Sequence, residues 1–291
     1  MEMSQALLLG SIDPFDRLLL LAKATNKDHA FVLAHPEYKL TEKEARQYTE
    51  FITRRVKHEP IAYILGEKEF FGLSFLVNRS TLIPRPETEH LVECVIKYIE
   101  KNKSEDIQRK KIAVIDVGTG SGCIIISIAN YLQSSSKKNL SSISFFATDI
   151  SNKALGVARK NAVHHHVDTL IFFSLSDLIT SLEERLQSFD MLLITANLPY
   201  LSEALYQNTA PDVQGFEPAN ALVSGKDGLG HYRKLFKNLS STVHTKEVVF
   251  WLEISPEQEP FLPALMNETP IKKWECLPDL SGRVRIVTGS W

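Results

Sequence analysis

Cysteine is scarce in this sequence of 291 residues, and its three cysteines, Cys94, Cys123 and Cys276, show no paired spacing. This pattern excludes a disulfide framework and a zinc site of the usual spacing. Apolar runs of about 18 residues, which a membrane-spanning helix needs, are also missing. The leucine-rich start lacks the basic leader and the cleavage site of a secretory signal. We therefore expect a cytoplasmic protein with reduced thiols, no metal ion and no membrane partner.

The sequence also lacks a surplus of positive charge, because its 33 lysines and arginines are outnumbered by 35 aspartates and glutamates, for a net charge of -2. Proteins that bind nucleic acid draw most of their affinity from basic side chains that neutralise phosphates. We therefore do not expect a nucleic-acid partner, and a protein substrate fits the charge better. The length suits one large domain and a small one, and a monomer is the simplest expectation.

The first 75 residues are predicted to be helical. Residues 16–33 carry apolar side chains at helical spacing, with one break. Thr41 and Glu44 have the spacing of a capping box, which predicts a helix that begins there and runs toward Arg55.

Aromatic and β-branched residues around Gly72 and Asn78 predict a hairpin that joins two domains. We expect a helical recognition domain over residues 1–75, a hairpin linker over 76–84 and a catalytic domain over 85–291. The first domain contains no glycine-rich loop and no cluster of acid–base residues, so the chemistry is expected in the last.

The catalytic domain is predicted to be α/β. Short apolar runs alternate with helical stretches, as in a mostly parallel sheet that helices cover on both faces. Right-handed connections place the loops after each strand at one sheet edge, where ligands bind in open α/β sheets. The predicted strands are Ile112–Val117, Ser144–Thr148, Leu170–Ser174, Met191–Thr195, Val248–Glu253 and Arg283–Thr288, and the predicted helices are residues 121–133, 152–165, 178–187, 227–239 and 256–267.

A glycine-rich loop follows the first of these strands and consists of Gly118, Thr119, Gly120, Ser121 and Gly122. Glycine lets the backbone turn sharply and lets a ligand approach without meeting a Cβ atom. Dinucleotide enzymes have a closely similar loop, and a tight turn without a ligand is a further alternative. The loop by itself therefore leaves the ligand open.

Carboxylates follow the next two strands. Asp149 stands where an acidic residue can accept both ribose hydroxyls of a nucleoside, which suits S-adenosylmethionine and NAD equally. Asp177, followed by Leu178, stands where a carboxylate can meet an adenine amino group, although an aspartate there also caps a helix well. Both positions are candidates for cofactor binding.

The fourth strand ends in Asn197, Leu198, Pro199 and Tyr200, a more specific signal than the glycine loop. The Asn197 side-chain oxygen and the Leu198 carbonyl can accept two hydrogen bonds from one NH2 group, and Pro199 restricts the backbone that holds them. The Tyr200 ring offers a face for a flat amide or base. Such positioning favours methyl transfer to a planar nitrogen. The alternative is a proline turn with an ordinary asparagine.

Several stretches of the sequence together are typical of one family. They are Glu59–Gly66, Glu69–Leu73, Leu82–Glu89, Asp116–Gly122, Asn197–Tyr200, Glu217–Pro218, Gly225–Gly228 and residues 279–283. These stretches resemble the release factor glutamine N5-methyltransferases and span nearly the whole chain. The resemblance implies a small N-terminal helical bundle, which helps to bind the release factor, and a seven-stranded class I S-adenosylmethionine-dependent methyltransferase domain of Rossmann-like fold.

The substrate that the resemblance implies is the glutamine of a Gly-Gly-Gln tripeptide in class 1 release factors. The implied cofactor-binding residues are Gly118, Thr119, Gly120, Ser121, Gly122, Asp149, Asp177, Leu178 and Asn197, and those implied to hold the glutamine amide are Asn197, Leu198, Pro199 and Tyr200. The chain departs from the family at Leu198, where proline is usual, and at Leu178, where an aromatic residue is frequent.

Three alternatives remain at this point. Asn-Leu-Pro-Tyr is also similar to the motif of rRNA adenine N6-methyltransferases, although the net charge and the segment Pro84–Glu89 argue against that class. A relative that methylates a glutamine of a ribosomal protein would share the catalytic motif. An inactive binding module would retain the fold but not the intact glycine loop and Asn197.

Overall fold

The computed structural model describes residues 1–102, 110–135, 142–242, 247–279 and 281–291. Leu280, which belongs to the last stretch of the family resemblance, lies outside these residues. Within the described ranges, no helix is both long enough and apolar enough to cross a membrane.

Five helices at the start of the chain form a small bundle with its own core. The predicted capping box is confirmed, because Thr41 Oγ1 accepts from the backbone of Glu44 at 3.3 Å and a Glu44 carboxylate oxygen accepts from the Thr41 backbone at 2.7 Å. The buried Tyr48 hydroxyl donates to the Ala6 carbonyl at 2.9 Å and so ties the capped helix to the first one. The helices are Met3–Ala6, Pro14–Thr25, His29–Ala34, Glu42–Val56 and Ile61–Leu65.

A β-hairpin follows the bundle and turns at Gly72, one of the two positions around which it was predicted. Its strands are Glu67–Phe70 (β1) and Leu73–Leu76 (β2), so it ends where the expected linker over 76–84 begins. The turn consists of Phe71 and Gly72, both with positive φ, as a two-residue hairpin turn requires. The sequence interpretation extended the hairpin to Asn78, which instead begins the next turn.

The rest of the chain forms the expected α/β domain around a sheet of seven strands. The strands are Ile112–Val117 (β3), Ile143–Asp149 (β4), Ile171–Leu175 (β5), Met191–Ala196 (β6), Glu247–Glu253 (β7), Lys273–Pro278 (β8) and Val284–Ser290 (β9). Their order in the sheet is β5-β4-β3-β6-β7-β9-β8; β3 to β7 run parallel to one another, while β9 is antiparallel to both β7 and β8. All six predicted strands are confirmed; β8 was not predicted, and it lies at the sheet edge with mostly exposed residues.

Helices cover both faces of the sheet. The predicted helix at 178–187 is shorter in the structure and divided, because a 3₁₀ turn, Thr180–Leu182, precedes the helix Glu183–Leu186. The predicted helix at 256–267 begins with a 3₁₀ segment, Pro256–Phe261, that contains Pro260. Other helices are Glu89–Lys101, Cys123–Ser134, Asn152–His164, Glu203–Tyr206, Pro211–Phe216, Gly230–Thr242 and Leu262–Asn267.

The hydrophobic cores of the two regions are distinct. The bundle core contains residues from Met3 to Ile64, whereas Phe70 and Phe75 of the hairpin belong to a core on one face of the large sheet. The boundary between the two cores therefore falls near Gly66, before the hairpin. A small cluster that includes Tyr63, with Phe216 packed against it, joins the two regions.

Candidate active site

The carboxyl ends of four parallel strands lie level with one another. Val117 pairs with Thr148 on one side and with Ala196 on the other, and Ala196 pairs with Leu252. The loops after β3, β4, β6 and β7 therefore meet at one sheet edge. The loops after β3, β4, β5 and β6 border a cavity of about 320 Å³, a volume typical of small-molecule sites.

Most of the sequence-predicted site residues line this cavity. They are Gly118, Thr119, Gly120, Ser121, Asp149, Asp177, Leu178, Asn197, Leu198 and Pro199. Among the residues that the structure describes, Gly122 and Tyr200 are the two predicted ones that lie outside the lining. The fold thus brings the glycine loop, the two carboxylates and the asparagine of the predicted site together.

The glycines of the loop serve different purposes. Gly118 has a φ of 73°, and a Cβ atom there would lie 2.7 Å from Leu198 Cδ2, so glycine is required for this close approach. A Cβ atom at Gly122 would lie 2.7 Å from Ile126 Cδ1 and 3.2 Å from Ala158 Cβ, so this glycine permits the packing of two helices. Gly120 has no atom within 4 Å of its Cβ position and faces open space.

Asp149 closes the glycine loop from the neighbouring strand. Its Oδ2 accepts from the Gly120 backbone at 2.8 Å, and its Oδ1 accepts from the Ser151 backbone at 2.8 Å. Burial raises the pKa of this carboxyl, while these backbone donors lower it. A carboxylate has about four acceptor sites, so it can hold the loop and still accept from a ligand.

Asp116, to which the sequence interpretation gave no role, lies beneath the loop. It is fully buried, and it accepts from the Thr119 hydroxyl at 2.6 Å and from the Thr195 hydroxyl at 3.1 Å. Burial raises its pKa to about 6, against the effect of these two hydrogen bonds. Asp116 therefore fixes the base of the loop and not its surface.

The third predicted cofactor contact, Asp177 and Leu178, combines an ion pair with an unusual backbone conformation. Asp177 lines the cavity and pairs with the ammonium group of Lys234, and both side chains are about half exposed. Leu178 has a φ of 57°, a left-handed conformation that is costly for leucine, and its side chain is buried in the core. His231, which the sequence reasoning missed, lines the same end of the cavity, with its Nδ1 2.7 Å from Ser224 Oγ.

The two ends of the Asn197 side-chain amide differ in their hydrogen bonds. Its Nδ2 donates to Thr88 Oγ1 at 3.1 Å. Its Oδ1 is buried, and in the described parts of the chain it has no hydrogen-bond partner. The neighbouring Leu198 side chain is buried against the glycine loop, so packing holds the backbone where a proline ring is usual in the family.

Glu253 lies at the end of β7, beside β6, and is 3% exposed. Burial raises its pKa to about 7; the Thr88 and Asn197 side chains and Arg285 lower it, while Glu87 raises it further. Sequence reasoning placed Glu253 at the sheet edge without a function. The signal that could have indicated one is a glutamate that closes a wholly apolar strand.

Tyr200 follows the acceptors but is half-buried and lies outside the cavity lining. Burial and the nearby Glu253 both raise the pKa of its hydroxyl. A Cβ atom at Gly228 would lie 2.0 Å from the Tyr200 carbonyl oxygen, so Gly228 allows the loop to close over this residue.

Side-chain contacts connect the segment after Tyr200 to residues 79–85, which precede the sheet. Glu217 is buried and accepts from Arg85 Nη2 at 2.5 Å and from the Ile83 backbone at 3.2 Å. The Arg79 guanidinium stacks over the Phe216 ring, 4.7 Å from its centroid. These contacts place Arg85, whose role the sequence left open, between the cavity and the loop that covers it.

Comparisons with known proteins agree with this geometry. A family model described as the PrmC N-terminal domain matches residues 9–66, and a methyltransferase domain model matches residues 108–240. The release factor glutamine methyltransferase of Clostridium botulinum is 34% identical over 94% of this chain and 90% of its own length. The protein of the same name from Koribacter versatilis is 35% identical over 93% of this chain and 89% of its own length. That from Flavobacterium psychrophilum is 41% identical over 77% of this chain and 73% of its own length.

The catalytic domain of human METTL16, solved with an RNA hairpin, superposes with a TM-score of 0.51 at 18% identity and covers 76% of each chain. At that identity the likeness concerns the fold alone. The fold and the site define a class I methyltransferase. Within that class, sequence identities of 34% and 35% to curated relatives, over more than nine tenths of the chain, decide the family. The chain belongs to the release factor glutamine methyltransferase family.

Proposed function

We propose that the protein transfers the methyl group of S-adenosylmethionine to the side-chain amide nitrogen of a glutamine, the one in the Gly-Gly-Gln tripeptide of class 1 release factors. The names of the curated relatives support this substrate. The geometry at the end of β6 supports the type of nitrogen.

The observation that carries the proposal is the unequal pairing of the Asn197 amide. Thr88 already accepts from its nitrogen, whereas its oxygen is buried without a partner among the described residues. A buried acceptor without a partner costs about 1–3 kcal/mol, so this oxygen is expected to receive a hydrogen bond from a ligand. A carboxamide NH2 group supplies such a donor, whereas a carboxylate does not.

The other end of the cavity fits the cofactor. Gly120 leaves open space above the loop, and Asp149 retains acceptor capacity that suits ribose hydroxyls. Asp177 lines the same cavity and suits the adenine amino group. We propose that residues 118–122, Asp149, Asp177 and Leu178 hold S-adenosylmethionine.

Bound S-adenosylmethionine supplies an electrophilic methyl group on a sulfonium centre. Asn197 Oδ1 and the Leu198 carbonyl would each accept one N–H of the glutamine amide and so direct its lone pair toward that methyl group. The buried Leu198 side chain holds this carbonyl in place. The transfer would form a carbon–nitrogen bond and break the carbon–sulfur bond of the cofactor, and the nitrogen would then lose one proton to water. Positioning therefore supplies most of the catalysis.

The test is transfer of a labelled methyl group to three acceptors: an intact class 1 release factor, its variant with alanine for the glutamine of the tripeptide, and rRNA. We expect label on the intact factor only. Label on both factors would contradict the assigned glutamine. Label on rRNA alone would favour the adenine N6-methyltransferase alternative.

We also propose a division of labour along the chain, with recognition of the release factor in residues 1–66 and catalysis in residues 85–291. The separate core of the bundle and its match to an N-terminal family model support this boundary, which replaces the predicted 1–75. Lysine cross-linking of the full chain to the release factor should give links at exposed Lys43 and Lys57 of the bundle. Links confined to residues 85–291 would contradict a role for the bundle.

A further inference from the structure

Three polar side chains from different elements meet behind the substrate end of the cavity. Asn197 follows β6, Glu253 ends β7, and Thr88 directly precedes the helix Glu89–Lys101. Thr88 is 2% exposed and Glu253 is 3% exposed. The Asn197 amide nitrogen donates to the Thr88 hydroxyl oxygen at 3.1 Å, and the side chains of Thr88 and Asn197 lie close enough to the Glu253 carboxyl to lower its pKa.

An asparagine amide has a donor at one end and an acceptor at the other, and a rotation of 180° about its last bond exchanges them. The proposed reaction needs the oxygen of Asn197 toward the substrate amide. A hydroxyl partner does not select this orientation, because the Thr88 oxygen can either accept from the amide nitrogen or donate to the amide oxygen. A further group must fix the direction of the Thr88 hydroxyl.

Glu253 is the group that can do so. An ionised carboxylate only accepts hydrogen bonds, so it takes the Thr88 proton and leaves the Thr88 oxygen as an acceptor for Asn197. The carboxyl is ionised above about pH 7, because burial raises its pKa to about that value, and the ionised form is costly to bury without a partner. Within the described residues its Oε2 has no hydrogen-bond partner, and the nearby Arg285 pairs with Asp279 instead.

We infer that Glu253, through the Thr88 hydroxyl, is a positioning residue that holds the Asn197 amide with its oxygen directed to the substrate nitrogen. This inference rests on the proposed function, since it concerns the same asparagine. It adds two residues that touch neither substrate nitrogen nor methyl group. In this arrangement Glu253 acts on Asn197 through the Thr88 hydroxyl, which is the hydrogen-bond partner of the Asn197 amide nitrogen.

The central test compares two substitutions of Thr88. Thr88→Val keeps the shape and removes the hydroxyl, so we expect kcat to fall about 10- to 100-fold, as when a group that orients a functional side chain is lost. Cofactor Kd should change by less than about threefold. Thr88→Ser keeps the hydroxyl and should recover most of the lost rate. Thr242→Val is the matched control, because this buried threonine lies at the far end of the helix Gly230–Thr242.

A double variant tests whether Glu253 acts through Thr88. Glu253→Gln replaces a group that only accepts by one that also donates, and we expect kcat to fall about tenfold. In the Thr88→Val background the same substitution should have little further effect, because the Thr88 hydroxyl is already absent. Losses that multiply in the double variant would overturn the inference.

The orientation of the amide can be followed without activity. In protein with ¹⁵N-labelled asparagine, the Asn197 side-chain NH2 should exchange slowly with water, and Thr88→Val should make this exchange at least about tenfold faster. An unchanged Asn197 signal in Thr88→Val would refute the inference even if activity falls. A wild-type enzyme that labels no release factor would refute the proposed function alone, and the amide signals would then decide the inference.

Discussion

The two ends of the cavity are built in different ways. At the cofactor end, the contacts join neighbouring strands and their loops: Gly120 donates to Asp149, which is 29 positions away. At the substrate end, Asn197 depends on Thr88, 109 positions away, and the covering loop is held by Glu217 and Arg85, 132 positions apart. The first end is local in sequence, and the second is assembled by the tertiary fold.

This difference indicates which properties can change independently. A glycine loop and its carboxylate form one βαβ unit, so substitutions there should alter ligand affinity and leave the rest of the site intact. The substrate end joins the linker, the sheet and the covering loop. Substitutions there should alter rate, and some should alter stability as well.

The largest effect is expected at Asn197. Asn197→Ala removes one of two acceptors for the substrate amide and should lower kcat about 100- to 1000-fold, as for other preorganised hydrogen-bond groups. Cofactor affinity measured by calorimetry should stay within about threefold, because the glycine loop does not depend on this side chain. A large loss of cofactor affinity would show that the two ends are not separate.

The two ends of the cavity also differ in how well the sequence predicts them. The glycine loop, Asp149 and Asn197 were found because each stands at the end of an apolar strand, and parallel strands bring such ends together. Thr88 and Glu217 lie in irregular segments, where no periodicity reveals a buried partner. They were noticed only within stretches of family resemblance and received no role.

The prediction of the fold was limited in the same way, by features that local sequence patterns do not reveal. Most of the predicted strands carry apolar runs, whereas β8 is an exposed edge strand whose pairing depends on β9. The hairpin was predicted around Gly72 and Asn78, and its turn lies at the first of these positions, with positive φ at Phe71 as well. Phenylalanine rarely adopts that conformation, so tertiary packing overrides its local preference.

The second largest effect is expected at Asp149. Asp149→Ala removes a proposed ribose acceptor and releases the backbone of Gly120 and Ser151. We expect cofactor Kd to rise about 10- to 100-fold, since each lost hydrogen bond to a charged group contributes about 1.5–3 kcal/mol. Calorimetry with S-adenosylmethionine measures this change. Under saturating cofactor, kcat should recover to near the wild-type value, and a kcat that stays low would contradict a role confined to binding.

A smaller effect, on stability, is expected at Glu253. Its pKa is raised by burial to about 7, so between about pH 4.5 and 7 the unfolded chain releases this proton while the folded protein keeps it. Stability therefore falls as pH rises through this window, and above it the penalty stays constant.

Glu253→Gln removes this titration and should reduce the loss of unfolding free energy between pH 5 and pH 8 by about 1–3 kcal/mol. Denaturant unfolding at both pH values measures the change. Exposed Glu50→Gln, in the helix Glu42–Val56, is the control and should leave the pH profile unchanged. Asp116 has a raised pKa of about 6 and the same sign, so part of the dependence should remain. An unchanged profile in Glu253→Gln would mean that Glu253 is not buried in solution.

The smallest effect is expected at Lys234, whose ion pair with Asp177 spans 57 positions. An exposed pair contributes about 0–1 kcal/mol, and Lys234→Met leaves Asp177 free to accept from the adenine amino group. Cofactor affinity should therefore rise by no more than about threefold and lose part of its salt dependence, whereas Lys237→Met, one turn away and also exposed, should change neither. A tenfold loss of affinity in Lys234→Met would mean that the lysine itself holds the ligand. The cofactor end would then also depend on a distant segment, and the contrast between the two ends would no longer hold.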